Sequence, residues 1–322
     1  MEEKIVVRTP NWVGDAIHSL VVLNYLSKIF GKMVIICKQN LKDIFEGYGE
    51  IITFRDKKDY FKKAWFLRKR RFDWGLVIPI SFSSAFGIFL TNAKNRVGFS
   101  FDSRDLFLTY KVKIPKWWKE RHTIYTLLLL LKPFGIKVDF DVVHPEYKGK
   151  IEDKEVRRPS VALGPWVGTY KIKEWGISNY VELAKLLIKE GYWVYVFGMG
   201  QGLVFPFKNE KLINLVNKTT LKDVLGYLKK MDWVVGNDGG FIHLASLVSK
   251  RIIGIYGPSS PIWTSPLVDK HQKIFILYDK LKCSPCDWKN KYKCPYVRAG
   301  EPPLCFKNLT PQKIYEIIKN ET

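Results

Sequence analysis

Two doubly wound α/β domains in series, each Rossmann-like, are the fold class that this 322-residue sequence predicts. Three observations predict it. The length exceeds one ordinary core and suits two domains of roughly 150 residues. Short Val- and Ile-rich runs alternate with amphipathic stretches in both halves, which is the order of a parallel sheet with crossover helices. Between the halves, Tyr147–Pro159 (YKGKIEDKEVRRP) is charged and nearly free of apolar residues, as suits an interdomain linker. The expected domains are residues 1–153 and 154–322, with the last helix a candidate to pack back on the first.

Element by element, Ile5–Arg8, Met33–Cys37 and Trp74–Pro79 read as buried strands bounded by turn residues. Between the first two, Asp15–Ile29 places Ile17, Leu20, Val21 and Leu23 at helical spacing. After the linker, Ser160–Gly164 is a strand. Ser178 is the expected N-cap of a helix with Tyr180, Leu183, Ala184 and Leu187 on one face and Gly191 as its stop. Tyr192–Gly198, Trp233–Gly236 and Ile252–Gly257 are further strands. Thr310-Pro311 opens a last helix through Ile318.

Composition narrows the function classes. Apolar residues at 47% and charged residues at 26% describe a globular chain rather than a disordered one. The longest apolar runs fall far short of the ~20 residues needed to span a bilayer. The start, MEEKIVVRTP, is acidic and runs straight into a strand, unlike a secretory signal. A cytoplasmic protein without an anchor is the expectation. The net charge of +22 asks for an anionic partner. It is densest in Arg55–Arg71, with nine basic residues against two acidic ones.

Ligands of open parallel sheets bind at the carboxyl ends of strands, and five loops hold such positions. In the first, Thr9–Asp15 (TPNWVGD), Gly14 would permit a tight turn. Asp15 is the loop's one carboxylate, either a plain helix cap or a general base. The second, Gly164–Trp175 (GPWVGTYKIKEW), carries Thr169, Lys171 and Lys173 ahead of a helix, groups that suit a diphosphate. In the third, Gly198–Gly202 (GMGQG), the last glycine is misplaced for a dinucleotide fingerprint and no ribose-binding acid follows at the right distance. The fourth, Gly236–Gly240 (GNDGG), leads into a helix with His243, and the fifth is Gly257–Pro261 (GPSSP). Their small residues allow backbone amides close to phosphate or ribose.

In this order the loops resemble the heptosyltransferases of glycosyltransferase family 9. The likeness rests on PNWVGDA at Pro10–Ala16, K-x-W at Lys173–Trp175, NDGGFIHLAS at Asn237–Ser246, YGPSSP at Tyr256–Pro261 and CSPC at Cys283–Cys286. It is nearest to members adding the second heptose of the lipopolysaccharide inner core. The resemblance implies a GT-B fold, metal-independent inverting transfer and an ADP-L-glycero-D-manno-heptose donor, with no cofactor required. Asp15 becomes the base and Lys173 the catalytic cation. Thr169, Lys171, Gln201, Asp238, Gly239, Gly240, His243, Ser259 and Ser260 fall on the donor side. Asn11, Trp12 and Gly14 fall on the acceptor side with Lys116, Lys119 and Arg121. Two positions depart from the family pattern: Gly239 stands where Ser or Thr is usual, and Gln201 is the nearest polar substitute for an acidic residue.

The partner implied is an anionic, lipid-linked sugar at the inner-membrane surface, met by a cytoplasmic, peripheral and monomeric enzyme. KVKIPKWWKER (Lys111–Arg121) mixes cations with Trp117 and Trp118, which suits a headgroup region, a phosphorylated acceptor, or a packed tryptophan pair. Cys283-x2-Cys286-x7-Cys294-x10-Cys305 fits a structural zinc site, one or two disulfides, or free thiols. Cys37 reads as core. Other readings are a first- or third-heptose transferase, another sugar transferase of the family, or a sugar-nucleotide epimerase of similar architecture. A basic nucleic-acid-binding protein rests on charge alone, since no helix-turn-helix, RNP or zinc-finger pattern is present.

Overall fold

The computed structural model describes residues 3–138, 143–286, 294 and 302–321. It divides into two compact units, Met1–Lys150 and Ile151–Thr322. Each unit is built on one six-stranded parallel sheet.

In the first unit β1 (Ile5–Arg8), β2 (Met33–Lys38), β3 (Gly49–Phe54), β4 (Trp74–Val77), β5 (Asn95–Ser100) and β6 (Tyr110–Lys113) stand in the order β3-β2-β1-β4-β5-β6. This is the Rossmann order, and its switch point lies between β1 and β4. The connections include α1 (Val13–Phe30), α2 (Lys57–Leu67) and α3 (Phe82–Leu90), and α4 (Thr123–Leu128) packs on α1. Helix α1 begins two residues earlier than its apolar spacing indicates, with Trp12 as its N-cap.

Helix α3 turns its small residues inward: Ser84, Ala85 and Gly87 are buried with Ile88. The reason is close packing against α2. A Cβ on Gly87 would lie 2.1 Å from the Tyr60 ring, so only glycine admits that ring. Tyr60 completes the contact by donating its hydroxyl to the Ser84 carbonyl at 2.9 Å.

The second unit repeats the topology. β7 (Ser160–Gly164), β8 (Trp193–Val196), β9 (Leu212–Asn214), β10 (Trp233–Asn237), β11 (Arg251–Tyr256) and β12 (Lys273–Tyr278) stand in the order β12-β11-β10-β7-β8-β9. Its switch point lies between β7 and β10. The helices are α5 (Ile177–Lys189), α6 (Leu221–Lys230), α7 (Gly240–Ser246), α8 (Pro261–Thr264) and α9 (Pro311–Asn320).

One local expectation needs correction. The N-cap of α5 is Gly176, at φ 99°, and not Ser178, which lies within the helix. Helix α9 packs on α5, and Ile314, Tyr315 and Ile318 join the second unit's core. Thr310 caps α9 by accepting from the Lys313 amide, with Pro311 in the first turn. Among the described residues no helix is long and apolar enough to cross a membrane.

Candidate active site

The second unit brings two of its predicted loops together at the switch point. The loop after β7 ends at Trp175, fully buried, whose indole donates to the Leu309 carbonyl at 2.5 Å. Two residues earlier, the Lys173 ammonium donates to the Asp238 carboxylate at 2.6 Å; the two side chains are 15% and 4% exposed. Asn237 ties the same loops through its amide. Its oxygen accepts from the Trp175 amide at 3.0 Å, and its nitrogen donates to the Pro165 carbonyl at 2.7 Å. Glu174 folds back to accept from the Val167 amide at 3.2 Å, and burial raises its carboxyl above the usual range. A lysine so anchored is held in place at the sheet edge, the arrangement electrostatic stabilisation of a leaving group requires.

Around that pair, Gly239 is the N-cap of α7, extended at φ −174°, and Gly240 is the first helical residue. His243 is buried within α7. A Cβ on Gly239 would meet Val167 Cγ1 at 3.2 Å, a contact that a small shift of that side chain would relieve. Ser259 is 6% exposed and, among the described residues, its buried hydroxyl has no hydrogen-bond partner. Ser260 is the N-cap of α8. Thr169 and Lys171 are exposed, and so is Gln201, in a turn beyond β8. Asn217 pins that turn from both sides, accepting from the Gly200 amide at 2.8 Å and donating to its carbonyl at 2.9 Å.

In the first unit, Asp15 is an exposed carboxylate in the first turn of α1. The cap belongs to Trp12, so the plain-cap reading of Asp15 does not hold. Its carboxylate still meets the favourable field of the helix start. Gly14 is the second helical residue and lacks the positive φ of a tight turn, contrary to expectation. Trp12 is 55% exposed, with the Lys38 ammonium 5.9 Å from its ring centroid.

Asn11 accepts from Arg8 Nη2 at 2.7 Å. Nothing in the spacing singles out Arg8, which closes an apolar strand yet is 2% exposed, its guanidinium over Phe54 and Tyr60. Arg104, 1% exposed in the turn after β5, donates to the Pro79 carbonyl at 2.8 Å. Burial lowers both guanidinium pKa values, that of Arg104 to about 10. Among the described residues no carboxylate lies within ion-pair distance of either. Arg8 thus ends β1 and Arg104 reaches the Pro79 carbonyl beyond β4, each a buried cation at the carboxyl end of the first sheet.

Lys116 and Lys119 belong to a 3₁₀ turn and are exposed, as is Arg121. Lys119 sits 5.2 Å from the Trp118 ring and Arg121 5.4 Å from the Trp117 ring. Both tryptophans are half-buried under these cations.

All five cysteines are free thiols, one of the three readings that their spacing left open. Burial pushes Cys305 up to about 12 and raises Cys286, each reinforced by the neighbouring cysteines. Among the described residues no three His, Cys, Asp or Glu side chains converge to hold a metal. The CSPC segment serves the fifth loop, since the Cys286 amide donates to the Pro258 carbonyl at 2.8 Å. A basic cavity of about 570 Å³, lined by Arg158, Lys230, Arg251 and Lys273, opens at the amino ends of the strands, away from every loop of the family pattern.

The family model for glycosyltransferase family 9 (heptosyltransferase) matches residues 61–296. The chain is 25% identical to lipooligosaccharide heptosyltransferase 2 of Campylobacter jejuni over 98% of each chain. It is equally 25% identical to lipopolysaccharide heptosyltransferase 2 of Salmonella typhimurium over 97% of each. The solved E. coli ADP-heptose LPS heptosyltransferase II superimposes with a TM-score of 0.81 at 22% identity, covering 99% of both chains, which places the fold as GT-B. With the loops of that pattern in the same order at the carboxyl ends of its strands, the chain belongs to glycosyltransferase family 9, the heptosyltransferases.

Proposed function

We propose that this enzyme transfers L-glycero-D-manno-heptose from ADP-heptose, with inversion, to the inner core of lipopolysaccharide, adding the second heptose. The carrying observation is the anchored Lys173–Asp238 pair at the β7–β10 switch point. The activity for which the Campylobacter and Salmonella relatives are named supports the acceptor.

In the reaction the acceptor hydroxyl oxygen bonds to the anomeric carbon as the bond from that carbon to the diphosphate oxygen breaks. The Asp15 carboxylate takes the hydroxyl proton. ADP leaves with the bonding electrons, and the Lys173 ammonium meets the charge on its phosphate. Lys171, Thr169, the Ser259 hydroxyl and the Gly239 and Gly240 amides complete the diphosphate side, with Asp238, Gln201, His243 and Ser260 lining the donor. Asn11, Trp12, Gly14, Lys116, Lys119 and Arg121 face an acceptor bearing phosphates and acidic sugars, whose charge Arg8 and Arg104 complement. No metal takes part. The enzyme works as a monomer at the cytoplasmic face of the inner membrane, in residues 1–153 for the acceptor and 154–322 for the donor.

Thermal shifts test the donor. ADP raises the melting temperature while NAD and UDP leave it unchanged; a shift with NAD or UDP and none with ADP removes the proposal.

A further inference from the structure

The first unit carries an aromatic stripe along the outer side of α3. On α3, Phe82, Phe86 and Phe89 follow helical spacing on the side opposite the buried Ser84, Ala85 and Gly87. Phe82 is 49% and Phe89 43% exposed. The rings form a continuous series: Phe61 of α2 meets Phe86 at 5.1 Å, and Phe107 meets Phe82, Phe86 and Phe89 at 5.1, 5.3 and 5.4 Å. Trp65, one turn beyond Phe61 on α2, is 52% exposed. Such a contiguous apolar face marks a surface that something covers.

Its rim is cationic. Arg68 lies 4.0 Å from the Trp65 ring centroid and Lys57 5.9 Å from that of Phe61, while Lys58 and Lys62 are exposed on the same helix. The acidic residues of α2 are spent locally. Asp56 caps the helix, and Asp59 pairs with Lys63 at 3.0 Å. A second copy of the chain would set this positive rim against its own like charge. An anionic bilayer meets both features at once, rings at headgroup depth and cations against lipid phosphates.

We infer that the α2–α3 aromatic stripe with its basic rim docks this enzyme on anionic lipid. The inference rests on the lipid-linked acceptor proposed above and names the face that reaches it. The half-buried Trp117 and Trp118, already covered by their own cations, are not that face.

The test is co-sedimentation of the full chain with phosphatidylcholine vesicles, with and without phosphatidylglycerol. Transfer to a water-soluble acceptor lacking lipid is measured beside it. Wild type binds the phosphatidylglycerol vesicles and not phosphatidylcholine alone. Phe82→Ser with Phe89→Ser lowers that binding at least about tenfold, and so does Lys57→Glu with Lys62→Glu. Both variants keep wild-type transfer to the soluble acceptor, which also reports that they fold. Undiminished vesicle binding by both variants overturns the inference, as does a wild type that ignores anionic vesicles. A wild-type dimer that the phenylalanine variant converts to monomer, with vesicle binding intact, assigns the stripe to self-association and overturns it too. Loss of soluble-acceptor transfer in the wild type itself would instead strike the proposed function, leaving the vesicle result to judge the surface.

Discussion

A lysine and an aspartate joined at 2.6 Å, both largely out of water, form an ion pair at the carboxyl edge of the second sheet. Removing one partner strands the other charge in a poorly solvated place. Lys173→Met therefore lowers unfolding stability by about 3 kcal/mol in urea melts and weakens ADP binding; wild-type values for both would show that the pair anchors nothing. Asp15→Ala should cut transfer by roughly 100-fold or more, the usual size of a general-base contribution, while ADP binding stays intact. Near-normal turnover would remove the assignment. Gly239→Ser places a Cβ 3.2 Å from Val167 Cγ1, yet supplies a favoured N-cap to α7. Thermal melts should move little, within about 1 kcal/mol, and a larger loss would mean that Val167 cannot yield. At this scale the loops were legible because glycines, hydroxyls and charges after apolar strands are local signals. Asn237, Asn217 and Arg8 were not, because what they do depends on partners distant in sequence, such as Pro165 for Asn237.

Among the elements, α6 carries the clearest electrostatic signature. Thr220 and Asp223 form a reciprocal capping box, and the Lys154 ammonium lies 2.5 Å from Asp223. That lysine first, and then the Thr220 amide and hydroxyl, hold the Asp223 carboxyl at about 2, below its ordinary 3.8. A lowered folded value means stabilisation that is complete above the ordinary value and fades as pH falls toward 2. The stability gap between wild type and Asp223→Asn is expected to be on the order of 1 kcal/mol near neutral pH, given partial solvent screening, and to close in acid. A gap that widened in acid would reverse the assignment. Helix α9 tests packing instead: Ile314 is fully buried in the second unit's core, and Ile314→Ala should cost about 3 kcal/mol. The α9 start was readable from Thr310-Pro311. Its packing partner was not, because an amphipathic helix shows which face is apolar but not what that face meets. Strands β3, β5, β6, β9 and β12 also escaped notice; in β5 and β6 polar residues interrupt the continuous apolar run that marked β1 and β2.

For the whole molecule, two copies of one topology explain why alternating apolar runs and a charged connection were enough to recover the architecture. The switch points follow from strand order, so their location became visible only once the sheets were assembled. The surplus positive charge had no single reading in the sequence. The structure sorts part of it into buried arginines at the first sheet's carboxyl edge, an anchored lysine at the second, and a rim around exposed aromatics on α2 and α3. The most direct measurement of the central claim is turnover of ADP-heptose on defined inner-core acceptors bearing zero, one or two heptoses, read by mass of the product. The account predicts one added heptose on the one-heptose acceptor and little on the others. Preferred transfer to the zero- or two-heptose acceptor, or no transfer from ADP-heptose to any of them, would contradict it.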